Sequence, residues 1–250
     1  SAHSRDPLAA RGIAMEMPLR GKVCVVVGGS GAIGSAICRH FAEAGGICVV
    51  TYHNGKQAAQ ALVAGLAGSG HWAAHVPVDD SATLNALAGQ VQGKHKRLDV
   101  LVNCAGITRF IPHSDLDALD DRLIDDIFRV NWRGPFAAVR AMRNLLAASG
   151  DGLVINISSI AGVTAMGSNV AYCASKAALD SMTKSLARAL APEIRVVSVS
   201  PGLVDTELGK KLGQRVREGR GVLGRGEARS GVCAFTIAKE GAPDISSGLN

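Results

Sequence analysis

The sequence predicts an α/β fold: a doubly wound parallel sheet between helical layers (three layers, α/β/α), folded as a single domain. Three observations predict it. Short apolar runs alternate with helix-like patterns from about residue 20 to residue 200. The first run, "VCVVV" (Val23–Val27), shows no polar alternation, as expected of a parallel strand covered on both faces. No linker-like stretch and no internal repeat interrupts the alternation, so it reads as successive βαβ units.

After VCVVV comes the glycine turn "GGSGAIG", then a helix in which Ile33, Ile37 and Phe41 recur every four residues. "AGG" (Ala44–Gly46) stops that helix, "ICVVT" (Ile47–Thr51) is the second strand, and "KQAAQALVAGLAG" is the second helix. "WAAHVPV" (Trp72–Val78) reads as the third strand. His71 and His75 would suit a metal only on a helix, so no metal site is expected. "SATLNALAGQVQG" is helical and "DVLVN" (Asp99–Asn103) is the fourth strand. One long helical region is expected from about Asp117 to Ser149, then the fifth strand "LVINIS" (Leu153–Ser158). The next helix reaches about Leu190, and "IRVVSVS" (Ile194–Ser200) is the sixth strand.

The 250 residues suffice for one large domain with a substantial core. No apolar run approaches the roughly 18 residues a membrane span needs, and the first residues lack the apolar core of a signal peptide. Residues 1–19 are expected to be a flexible extension of a domain covering 20–250. Six cysteines without a CxxC read as reduced thiols, in keeping with a cytoplasmic protein. Much of the net charge of +6 falls between Lys210 and Arg229. Without interleaved aromatics that segment reads as a solvated loop, or a lid facing an anion, so no nucleic-acid partner is expected.

The first strand runs into "VGGSGAIGSA" (Val27–Ala36), which fits G-x-G-x-x-G from Gly29 and G-x-x-x-A-x-G from Gly28. Missing Cβ atoms let the backbone turn sharply and approach a pyrophosphate, whose charge sits at the helix N-terminus. Alone this is weak; after a buried strand and opening a helix, it predicts a dinucleotide site. In such folds an acid about 20 residues on holds the ribose 2′-hydroxyl of NAD. Here the second strand ends "TYHNGK", with no Asp or Glu at its tip. A carboxylate would repel a 2′-phosphate, whereas His53, Asn54 and Lys56 would not, so NADP(H) is favoured and NAD(H) is the alternative.

Further along, "VNCAG" (Val102–Gly106) ends the fourth strand and "NISS" (Asn156–Ser159) ends the fifth, at the edge where ligands bind in such sheets. "NVAYCASKAAL" follows, placing Tyr172 and Lys176 one helical turn apart. Ser159 lies 13 residues before Tyr172. A hydroxyl, a phenol and an ammonium therefore meet where a nicotinamide would lie. The phenol titrates near pH 10, and a cationic Lys176 is expected to lower that value toward neutrality. Tyr172 is then the general acid or base, and Ser159 holds the carbonyl oxygen.

With these residues in view the chain closely resembles the short-chain dehydrogenase/reductase family, of the compact type that includes 3-oxoacyl-carrier-protein reductases. The resemblance runs from about Leu19 to Thr206 and includes the glycine turn, Asp79, "NCAG", "VNWRG" with Asn131, Ser159, Y-x-x-x-K and "PGLVDT" (Pro201–Thr206). It implies a Rossmann fold and hydride transfer between NAD(P)(H) and a carbonyl or secondary alcohol. It also implies that Asn131 fixes a water relaying protons to Lys176, which itself bonds the nicotinamide ribose. The cofactor contacts it implies are Gly28, Ser30, Gly31, Ile33, Gly34, His53, Asn54, Asp79, Asn103, Ala105, Gly106, Tyr172, Lys176, Pro201, Gly202, Val204 and Thr206. Residues of about 203–223 would form a substrate lid, and a homo-oligomer, tetramer or dimer, is expected. The alternative on the same fold is a cofactor-sensing regulator, a type that usually lacks the Tyr or the Lys kept here.

The chain departs from the family pattern at Val27 (usually Thr), Ala32 (usually Gly) and Cys104 (usually Asn). Its C-terminal segment, Phe235–Asn250, stops short of the family's seventh strand, which is expected to be missing.

Overall fold

Val23, Val25 and Val27 face one side of the sheet, Cys24 and Val26 the other, and all five are buried. That is why VCVVV carries no polar alternation. The computed structural model describes residues 17–202 and 234–236. In chain order the elements are β1 (Val23–Val27), α1 (Ala32–Glu43), β2 (Ile47–Tyr52), α2 (Lys56–Ala64), β3 (Trp72–His75) and α3 (Ser81–His95). There follow β4 (Val100–Asn103), α4 (Asp121–Phe128), a π-helical turn (Arg129–Arg133), α5 (Gly134–Ala147), β5 (Gly152–Ile157), α6 (Ala161–Thr164), α7 (Val170–Leu190), β6 (Ile194–Ser200) and β7 (Ala234–Thr236).

The strand order is β3-β2-β1-β4-β5-β6-β7, parallel through β6. The order reverses between β1 and β4, which makes their carboxyl ends the switch point where ligands bind. Two apolar cores cover the sheet. One joins Val25, Val49 and Leu101 to Leu84 and Leu87 of α3 and Met142 and Leu146 of α5. The other joins Val26, Val50 and Val102 to Cys38 of α1 and Leu62 of α2. This is the expected three-layer doubly wound sheet.

Four details differ from the sequence expectation. The row of α1 set deepest is Gly34, Cys38 and Ala42; Ile33, Ile37 and Phe41 flank it half-buried. Small residues let the helix lie close to the sheet, and a Cβ on Gly34 would come within 2.3 Å of the Gly28 carbonyl oxygen. The third strand ends at His75, before the proline of "VPV". The single helix expected over 117–149 starts at Asp121, where Asp120 caps it through Leu123 N at 2.8 Å, and is broken by the π-helical turn. A seventh strand does exist: Ala234–Thr236 pairs antiparallel with β6, Thr236 opposite Ser198. It takes in Phe235 and Thr236, the start of the segment that was expected to lack it.

Asp99, at the opposite edge of the sheet from the switch point, is a structural carboxylate. It accepts from Val23 N at 2.8 Å and pairs with Lys22 (3.1 Å) and Arg97 (3.2 Å). Among the described residues no helix is long and apolar enough to cross a membrane.

Candidate active site

The glycine turn owes its shape to two glycines. Gly28 sits at φ +79, and a Cβ there would come within 2.7 Å of Ala105 N, so no other residue fits between β1 and the loop after β4. Gly34 packs against Gly28 as described above. Gly31 is different: it is exposed, with only the Gly28 carbonyl oxygen at 3.3 Å, so its outer side is open. Thr51 of β2 steadies the turn by accepting from Gly28 N at 3.0 Å.

These residues fit a dinucleotide pyrophosphate. Helices α3, α4 and α7 each begin with a side-chain cap (Asp80, Asp120 and Asn169), whereas α1 begins at Gly31 with none, as α2 does at Gly55. At α1 the uncapped first amides open beside the glycine turn, as an anion site at a helix N-terminus requires. Of the family departures, Val27 fills the apolar core and Ala32 starts α1 at an exposed position. Cys104 is half-buried, its thiol pushed up to about 11 by burial.

The remaining groups come from the ends of β4 and β5 and the start of α7. Lys176 is almost fully buried and its Nζ donates to Ile157 O at 2.8 Å. Burial lowers its pKa to about 8. Asn131, on the π-helical turn, accepts from Ile107 N at 2.8 Å. Its amide donates to Ile107 O at 3.0 Å and to Ser175 Oγ at 3.1 Å. Gly106 closes over both: a Cβ there would lie 3.4 Å from Asn131 Oδ1 and 3.8 Å from Lys176 Nζ.

Ser159 Oγ accepts from Ala161 N at 3.2 Å. Burial raises the Tyr172 phenol's pKa above its ordinary value, and the neighbouring Ser159 hydroxyl only partly opposes this. The expected lowering by Lys176 is not found. The ammonium stands 5.8 Å from the ring centroid and is aimed at the Ile157 carbonyl, so desolvation of the phenolate prevails.

The structure thus brings Asn131, Ser159, Tyr172 and Lys176 to the sheet edge that also holds Gly28, Ala105 and Gly106. The loop of Pro201 and Gly202 joins them, since Ile160 N donates to Pro201 O at 3.0 Å. Asn103 is buried, with Nδ2 donating to Asn156 Oδ1 at 2.8 Å, and Asn156 in turn donates to Thr183 Oγ1 at 2.9 Å. Its Oδ1 is buried with no hydrogen-bond partner among the described residues. His53 and Asn54 are exposed after β2, and the His53 ring lies 6.3 Å from that of His75. Asp79, past β3, has Arg129 Nε at 3.9 Å, and Arg133 donates to its carbonyl at 3.0 Å. Val204, Thr206, the lid over 203–223, the basic segment Lys210–Arg229 and the extension over 1–16 lie outside the described residues.

A family profile described as short chain dehydrogenase matches residues 22–217. The chain belongs to the short-chain dehydrogenase/reductase family. D-threitol dehydrogenase of Mycolicibacterium smegmatis is 35% identical over 196 residues, covering 77% of this chain and 74% of the relative. The 3-oxoacyl-[acyl-carrier-protein] reductase FabG of Thermotoga maritima is 34% identical over 209 residues, covering 81% and 82%. The solved structure of an NAD+-bound xylitol dehydrogenase superposes with a TM-score of 0.69 at 26% identity, covering 78% of this chain and 75% of that one. As a member of this family the chain is an oxidoreductase acting on CH–OH or carbonyl groups, with an NAD(P)(H) cofactor.

In this short-chain dehydrogenase/reductase, sequence reasoning missed Asn169. Its Oδ1 accepts from Tyr172 N at 2.7 Å, capping α7, while its amide donates to Arg109 O at 2.7 Å and Thr108 Oγ1 at 3.2 Å. One side chain therefore fixes the phenol's helix to the loop after β4. The signal was present, since Asn three residues before Tyr172 is an N-cap spacing. Thr51 offered no signal, because a threonine in a buried strand looks like any β-branched residue.

Proposed function

We propose that the protein is an NADP(H)-dependent carbonyl reductase or secondary-alcohol dehydrogenase in which Tyr172 is the general acid and base. One observation carries the reading: the phenol of Tyr172 and the hydroxyl of Ser159 stand together beside a buried Lys176, at the switch-point edge next to the open glycine turn. The cofactor, when bound, supplies a hydride to the carbonyl carbon or accepts one from the alcohol carbon. Ser159 orients the substrate oxygen and stabilises charge developing on it. Tyr172 gives its proton to that oxygen during reduction and takes it back during oxidation. Lys176 holds the cofactor ribose and supports the tyrosinate while it exists, and Asn131 clamps the loop that closes over both.

The NADP(H) preference is supported by charge: no Asp or Glu occurs between Glu43 and Asp79, so β2, α2 and β3 carry no carboxylate. The NAD+ of the xylitol dehydrogenase keeps NAD(H) as the second reading. A panel of ketones and secondary alcohols, followed by absorbance of the reduced cofactor with both dinucleotides, tests function and preference together. Tight cofactor binding without turnover on any substrate would favour a cofactor-sensing regulator.

The raised pKa of Tyr172 sets a pH dependence. A phenol above its ordinary value is protonated throughout the neutral range, which is the form reduction requires. Ketone reduction is expected to be flat through neutral pH and alcohol oxidation to climb steadily into the alkaline range. Stopped-flow hydride-transfer rates against pH check this; oxidation that levels off near pH 7 contradicts it.

Self-association belongs to the same reading. Trp132 and Phe136 stack with centroids 6.2 Å apart and stay exposed beside a groove lined by Phe128, Met182 and Leu186. A second copy is the occupant proposed here, and a monomeric mass by light scattering would refute it. Cytoplasmic placement is likewise proposed, on the five free cysteines among the described residues.

A further inference from the structure

Two stretches of chain flank the Tyr172 phenol: the loop after β4 (107–113) and the segment between Ser159 and α7 (160–169). Gly106 leads into the first, and a Cβ there would lie 3.8 Å from Lys176 Nζ. Gly167 belongs to the second, and a Cβ there would lie 3.2 Å from Tyr172 Cδ1. The stretches are laced together. Ile111 N donates to Ser168 O at 2.8 Å, Thr108 Oγ1 bonds Ser168 Oγ, and His113 Nε2 donates to Gly167 O at 3.1 Å. We propose that they seat the carbon arm of the substrate and that this arm is apolar: an alkyl or aryl ketone, or its alcohol, and not a polyol. The inference rests on the carbonyl-reductase reading and names the substrate class within it.

The polar side chains of both stretches already have protein partners. Arg109 donates to Ala118 O at 3.0 Å and pairs with Asp120 at 3.2 Å. Asn169 holds Tyr172 N and Arg109 O, each at 2.7 Å, and donates to Thr108 Oγ1 at 3.2 Å. Thr164 Oγ1 donates to Ile160 O at 3.0 Å. Neither stretch contains an Asp, Glu or Lys. The large apolar side chains left in the open are Ile107, 40% exposed, Met166, 54%, and Val163, 78%.

Each methylene moved from water onto such a surface favours binding, whereas each hydroxyl placed there gives up water without finding a partner. Ile107 and Met166 follow and precede the two glycines that approach the lysine and the phenol, so they are the specificity residues. The wall is also held in advance of binding. Asn131 accepts from Ile107 N at 2.8 Å and donates to Ile107 O at 3.0 Å, fixing that residue beside Lys176.

The test compares ketones that share the reacting carbonyl, each assayed with both dinucleotides. From 2-butanone to 2-heptanone, kcat/KM is expected to rise roughly 2- to 4-fold per CH2, the upper figure corresponding to about 0.8 kcal/mol. Erythrulose matches 2-butanone carbon for carbon and is expected to fall about 10- to 100-fold below it. Met166→Ser and Ile107→Ser flatten the rise, and Met166→Leu keeps it. Met17→Ser, an exposed apolar residue beside Gly45 at the opposite edge of the sheet, leaves the rise as it was. Erythrulose turned over faster than 2-butanone overturns the apolar arm and leaves the carbonyl-reductase reading standing. A rise that survives both serine variants overturns the assignment of these residues. If those variants instead lower the mass seen by light scattering, the patch is a face between copies of the chain and the proposal falls. No turnover of any ketone or alcohol overturns the carbonyl-reductase reading and this inference with it.

Discussion

Tyr172→Phe is expected to cut turnover by about 10²- to 10⁴-fold, the range typical of losing a positioned proton donor. Only the hydroxyl is removed. The ring keeps its packing beside Gly167, where a Cβ would lie 3.2 Å from Tyr172 Cδ1. The helix also keeps its cap, because Asn169 holds the backbone amide of residue 172. Dinucleotide affinity and melting temperature should therefore change little. Because one group gives the proton in one direction and recovers it in the other, oxidation and reduction must fall by the same factor. Single-turnover rates with ketone and alcohol check this, and a loss confined to one direction would place the proton on another residue.

Lys176→Met is expected to abolish measurable turnover and, at pH 7, to raise thermal stability. Burial lowers the lysine's pKa in the folded protein from 10.5 to about 8. Below pH 8 the ammonium is charged in both states, so the folded state bears the cost of desolvating it. Between about 8 and 10.5 the unfolded chain binds this proton and the folded one does not, so wild-type stability rises with pH across that window. Methionine avoids the desolvation but leaves Ile157 O without its 2.8 Å donor, an opposing loss of about 1–3 kcal/mol. The net gain should be about 1 kcal/mol, or roughly 2–4 °C in Tm for a chain of this size. It should shrink as the pH approaches 10. Calorimetric melts at pH 7 and pH 10 test the sign, and a variant less stable at pH 7 would show that the carbonyl needs the ammonium more than burial opposes it.

The fold was legible because βαβ alternation and unbroken apolar strands are direct signatures of a sheet covered on both faces. Val23–Val27 and Ile194–Ser200 coincide with β1 and β6 to the residue. The break at Arg129–Arg133 was not legible, since apolar periodicity over 117–149 reads as one helix and a single wide turn leaves no compositional mark. In the site, Ser159, Tyr172 and Lys176 declared themselves by type and spacing. The sign of the phenol's shift did not, because it depends on how far water is excluded and where Lys176 points, and both are tertiary facts. Asn103 shows the same limit: no spacing in the sequence announces that its amide donates to Asn156, directly across the sheet.

The wide turn that carries Asn131 amounts to one surplus residue inside an otherwise regular rod. A wide turn takes up that residue by bulging, so α4 and α5 keep the phase of one continuous helix. Removing one of Arg129–Arg133 would close the bulge and leave Met142 and Leu146 of α5 in the core, but the amide that grips Ile107 would lose its place over the loop. The surplus residue therefore lets a core-packing helix and an inward-turned carboxamide occupy one continuous stretch of chain.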